Sequence, residues 1–89
     1  MSTSVEQKHS PIRNDEAFRD TLRELPPSAK LVAKVLESDA PLSQGELATE
    51  TLLPDRTVRY ALNRLDDAGL VDSRHSFRDA RKQVYSLSA

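Results

Sequence analysis

Residues 53–71 read LPDRTVRYALNRLDDAGLV, and this stretch decides the fold. Val58, Ala61, Leu62 and Leu65 recur at intervals of three, one and three. At about 100° per residue they fall in one sector of a helix. Pro54 turns the chain just before that helix, and Gly69 stands where a left-handed residue closes one, with Leu70 placed to pack back. The pattern predicts a helix over 55–68. With Val58 at zero, Asn63, Arg56, Tyr60 and Arg64 lie at about 140°, 160°, 200° and 240°, opposite the apolar sector. Thr57 and Arg59 sit on its shoulders. A plain solvated face would carry Glu and Lys there; only the late Asp67 departs from a face of amide, phenol and guanidinium donors.

Working outward, Ser43-Gln44-Gly45-Glu46 has the spacing of a capping box, in which serine and glutamate each satisfy a free backbone donor. It starts a short helix with Leu47 and Ala48 turned inward. Before it, a helix is expected over 28–38, with Leu31, Val32, Val35 and Leu36 inside and Lys30, Lys34 and Glu37 outside. Asp39-Ala40-Pro41 ends it, and Leu42 is left to make a very short extended contact. Within the N-terminal segment 12–25 a further helix is expected to begin near Asn14, which caps it, and to be broken by Pro26-Pro27, with a stripe of Phe18, Leu22 and Leu25. Residues 1–11 read as an unstructured tail. After Gly69 the period changes to two: residues 70–75 and 83–87 read as strands, joined by a charged tip at 76–82.

The chain has 89 residues, enough for one core and no second. It has no cysteine, which excludes disulfides and thiolate metal sites. The two histidines, His9 and His75, have no serine or carboxylate at catalytic spacing, and no glycine-rich phosphate loop exists. His75 and Asp72 are too few for a metal site. Catalysis and cofactors are therefore not expected. No apolar run is long enough for a signal peptide or a membrane span, so a cytoplasmic protein is expected. The net charge of −1 speaks against a nucleic-acid partner, but its distribution speaks for one. Residues 54–82 hold seven cations, six of them arginine, against five acids. Arginine's planar fork suits phosphate and guanine edges.

The order is thus helix, helix, short helix, turn, longer helix, hairpin: a mainly α fold with a small β-hairpin, in which the longer helix fits a major groove and the hairpin tip reaches a minor groove. The residues Leu47-Ala48, Leu53-Pro54-Asp55-Arg56-Thr57-Val58 and 62–71 resemble the winged helix-turn-helix of MarR and TrmB-like regulators. Residues 78–88 resemble the MarR wing, a D-x-R element followed by a strand. The resemblance covers residues 26–88, and it is similar to the short archaeal type. It implies double-stranded DNA as the partner and a small transcriptional regulator, a repressor by occupancy of its site, associated with the nucleoid. Arg56, Thr57, Arg59, Tyr60, Asn63 and Arg64 would meet the major groove. Arg78, Arg81 and Lys82 would meet the minor groove or its phosphates, with Asp79 orienting Arg81 by a charge-assisted bond.

Three readings stay open at this stage. Tyr60 could instead pack on a neighbour and Arg64 pair with an acid of its own chain. Phe18, Leu22 and Leu25 could serve a homodimer or fold back on their own domain. The whole fold could serve protein contact in a larger assembly. Two departures stand out: Leu52 occupies a turn position usually given to glycine, and the chain ends after the wing, where MarR proteins continue into a dimerisation helix. No small-molecule effector is expected on that ground.

Overall fold

Proline and serine set where the helices begin. The computed structural model describes residues 15–79 and 81–88; the expected Asn14 cap and the tail 1–11 lie outside them. Helix α1 spans Asp15–Arg23, and α2 spans Pro27–Asp39 with Pro26 as its extended cap. A proline in the first turn loses nothing, since its missing N–H would have had no helical partner. Helix α3, Gln44–Thr51, starts at the expected capping box: Ser43 Oγ accepts from the Glu46 N–H at 3.1 Å, and the Glu46 carboxylate accepts from the Ser43 N–H at 2.8 Å. Helix α4, Asp55–Asp67, follows Pro54. It closes in a Schellman motif, with Gly69 at φ 75°, Gly69 N–H bonded to the Asp66 carbonyl and Leu70 N–H to the Leu65 carbonyl.

The core forms where α2, α3 and α4 meet. Val32, Leu36, Leu47, Val58 and Leu65 are fully buried, and Ala29, Ala33, Ala61 and Leu62 fill the space between them. One residue departs from the sequence reading: Leu31, expected inside, is 40% exposed. The buried face of α2 runs through Ala29, Val32, Ala33 and Leu36, the i, i+3, i+4, i+7 positions. Two of these are alanines, whose small side chains let α2 approach closely while adding little to a hydrophobic pattern. Leu25 joins this core, and Phe18 and Leu22 are half-buried against it. The first helix therefore lies back on its own domain.

The hairpin is part of a three-stranded antiparallel sheet. Strands β2, Val71–His75, and β3, Gln83–Leu87, pair along their whole length, from Val71 opposite Leu87 to His75 opposite Gln83. The two-residue strand β1, Leu42–Ser43, adds to the other edge of β3, with Leu42 opposite Tyr85 and Ser43 opposite Val84, giving the order β1-β3-β2. Tyr85 and Leu87 pack on the main core, whereas Val84 is buried apart from it.

Between α3 and α4, Leu52 adopts φ 63°, ψ 22°, left-handed backbone that costs a side-chain-bearing residue about 1–2 kcal/mol. Its side chain is 87% exposed, so no packing offsets the strain. Leu52→Gly is expected to stabilise the fold by about 0.5–1 kcal/mol, the relieved strain less the extra backbone entropy of glycine. Thermal unfolding should show a midpoint raised by roughly 3–6 °C; an unchanged or lower midpoint would mean that the turn is not left-handed.

Candidate nucleic-acid interface

The face of α4 turned away from the core is open. Arg56, Arg59 and Asn63 are exposed, Tyr60 is 48% exposed, and Thr57 and Arg64 are half-buried. Arg64 Nη1 donates to Tyr60 Oη at 2.9 Å, and its guanidinium carbon stands 5.8 Å from the ring centroid. One turn of helix separates the two, so the contact is an i, i+4 pair. It stiffens both side chains and leaves the phenol proton free to be donated outward. Arg64 thus meets a phenol of its own helix rather than the acid weighed as an alternative. Arg59 and Asn63 lean toward the sheet, where with Gln44, Asp66, Ser73 and Gln83 they line a polar cleft of about 150 Å³. Gln44 Nε2 also donates to the Asp55 carbonyl at 3.3 Å, tying the first turn of α3 to the first turn of α4.

The wing tip is held by its own hydrogen bonds. Ser76 N–H bonds to the Lys82 carbonyl at 2.6 Å, and Lys82 N–H to the Asp79 carbonyl at 2.9 Å. Arg78 N–H bonds to Ser76 Oγ at 3.2 Å. Asp79 Oδ1 accepts from the Arg81 backbone N–H at 3.0 Å, while the Arg81 guanidinium, 93% exposed, stands off at 3.7 Å. Asp79 therefore bonds the turn's backbone and meets the Arg81 side chain only as a loose ion pair. A short polar side chain two residues ahead of a free N–H forms this turn readily, and the backbone donor lies closer than the mobile arginine head.

Lys82 carries a link that sequence reading missed. Its Nζ lies 3.5 Å from Glu46 Oε2, so the residue that caps α3 also holds the base of the wing. The Ser43 N–H bonded to it holds the Glu46 carboxyl below the usual carboxylate value; burial opposes this, and the Ser43 hydroxyl and Lys82 reinforce it. Thirty-six positions separate the two partners, and no local pattern couples them.

Away from this face, a cavity of about 300 Å³ opens between α1 and α2, with Phe18, Leu22 and Ala33 on its floor and Arg19, Arg23, Lys30 and Lys34 at its rim. Among the described residues no group of three or more His, Asp or Glu could hold a metal, and no helix is long and apolar enough to cross a membrane.

A capped short helix, a tight turn, a longer cationic helix and a wing paired to a third strand define a winged helix-turn-helix. The chain belongs to the MarR family, whose model matches residues 24–82. It matches no curated protein. Among solved structures it is similar to a probable transcriptional regulator from Pseudomonas aeruginosa, at 23% identity and a TM-score of 0.71, over 83% of this chain and 60% of that one. The ferric uptake regulator of Vibrio cholerae aligns at 26% identity and a TM-score of 0.66, over 86% and 63% of the two chains. A mutant of MepR from S. aureus, solved bound to an oligodeoxyribonucleotide, aligns at 16% identity and 0.67, over 84% and 57%. The chain spans about 60% of the length of these proteins.

Proposed function

We propose that this chain binds duplex DNA in a sequence-specific manner as a transcriptional regulator, and represses by occupying its site. The observation that carries the reading is the uncovered outer face of α4, where Arg56, Tyr60 and Asn63 stand clear of the chain's own core. Guanidinium offers a bidentate donor to guanine, the amide pairs with adenine, and the phenol donates to phosphate. Thr57, Arg59 and Arg64 flank them. Arg78, Arg81 and Lys82 lie on the wing that would follow the backbone into the minor groove, where narrow width concentrates negative potential. Asp79 serves there by shaping the turn. Membership of the MarR family and the nucleic-acid complex of the MepR mutant support the reading.

The working unit is a homodimer in the cytoplasm, associated with the nucleoid. Phe18 and Leu22, half-buried on α1, offer the apolar surface for it; Leu25, expected to share that role, is buried in the domain's own core and takes no part. A two-fold pair of reading helices spans one helical turn of DNA, so its site is a near-palindrome.

Selection from a random pool of duplexes tests both parts. The expected result is one enriched motif, repeated as an inverted half-site about 10 base pairs apart, with affinity that falls steeply as salt rises. A single unrepeated motif would remove the dimer and leave the regulator. No enrichment and no salt-dependent binding would assign the α4 face to a protein partner instead.

A further inference from the structure

We infer that Phe77 is an apolar wedge at the wing tip that enters the minor groove and partly unstacks a base step. The inference deepens the DNA-binding reading and rests on it. Phe77 is fully exposed, the most exposed large apolar side chain among the described residues. Hairpin tips favour Gly, Asn, Asp and Ser, for which backbone freedom or local hydrogen bonding gives a reason. Phenylalanine has neither reason. The tip is already held by the Ser76–Lys82, Arg78–Ser76 and Arg81–Asp79 bonds, all made by backbone or polar groups, so the ring is not needed to shape it.

The surroundings choose the occupant. The described residues flanking Phe77 in the tip, His75, Ser76, Arg78 and Arg81, are polar or cationic and exposed or half-exposed, so none of them extends the ring into an apolar patch. A protein-binding anchor works inside a water-excluding ring of contacts, which the described residues of this tip do not form. A minor groove wants the opposite: a single apolar side chain to contact sugar walls or partly unstack a base step, with arginines beside it to meet the phosphates. The two arginines bring the tip to the groove, and the ring gains the apolar contact.

The test uses the full chain and the duplex enriched from the random pool, with 2-aminopurine placed at the step beneath the wing. Phe77→Ala should keep the wild-type unfolding midpoint and lose roughly tenfold or more in affinity, the scale of burying one phenylalanine. The slope of log affinity against log salt should stay the same, because an apolar contact releases no counterions. Wild-type binding should raise the 2-aminopurine fluorescence and the alanine variant should not. Phe77→Lys, which adds a cation to the tip, should also bind less well. Affinity within twofold of wild type for the alanine variant, or a gain for the lysine variant, overturns the wedge while the regulator reading stands. Failure of the wild-type chain to bind any duplex overturns both.

Discussion

Leu65→Ala is expected to lower the unfolding free energy by about 3 kcal/mol, within the range found for leucine truncations that leave a cavity. Leu65 is fully buried on α4 in the cluster where α2, α3 and α4 meet. Alanine favours the helix at least as well as leucine, so α4 should survive and the loss should come from packing alone. The Leu65 carbonyl that closes the Schellman motif is backbone and is untouched. For a domain of this length the whole stability is roughly 5–13 kcal/mol, so one truncation removes a large share of it. Urea unfolding followed by circular dichroism measures the effect. A loss below about 1 kcal/mol, the scale expected for the same change at a partly exposed leucine such as Leu31, would show that α4 does not seat its apolar sector in the core.

Arg56→Ala is expected to weaken binding to the selected duplex by roughly 5- to 150-fold, which corresponds to about 1–3 kcal/mol for a lost base contact. Arg56 is exposed in the first turn of α4, and it is the N-terminal part of a reading helix that reaches base edges. The decisive comparison is between the selected duplex and a scrambled one. A base-reading arginine loses mainly on the former, so the ratio of the two affinities collapses and repeated selection returns a motif degenerate at one position. Equal losses on both duplexes would reduce Arg56 to a phosphate contact, and reading would then fall to Asn63 and Tyr60.

Much of this was legible in the chain because it rests on local rules. The Ser43–Glu46 box, the α4 stripe, the Gly69 closure and the 83–87 strand each declare themselves within a few residues, and each stands where those residues put it. The left-handed turn at Leu52 was visible as a leucine where glycine is usual. What escaped depends on chain segments far apart. The alanines of α2 carry too little hydrophobicity to mark a face, though their smallness is what brings the helices together. The very short extended contact expected at Leu42 is present, but its partner β3, some forty residues on, is not legible from two residues. In sequence Lys82 reads with Arg78 and Arg81 as part of a cationic wing, and its partner Glu46, thirty-six positions away, lies across the fold where no local pattern shows it. Phe77 escaped because a lone aromatic in a charged loop breaks no rule until its full exposure is seen.

The two-residue strand at Leu42–Ser43 has a consequence out of proportion to its length. Ser43 is at once a rung against Val84 and the cap of α3, while Glu46 on that same cap lies within ion-pair reach of Lys82 at the root of the hairpin, and Gln44 reaches on to α4. The two parts that would touch nucleic acid are thereby riveted into one frame, like the jaws of a caliper set to a single opening. In the proposed complex the stiffer body dictates the interval from one groove to the next, and the duplex supplies the give, so that helical pitch is sampled together with base sequence.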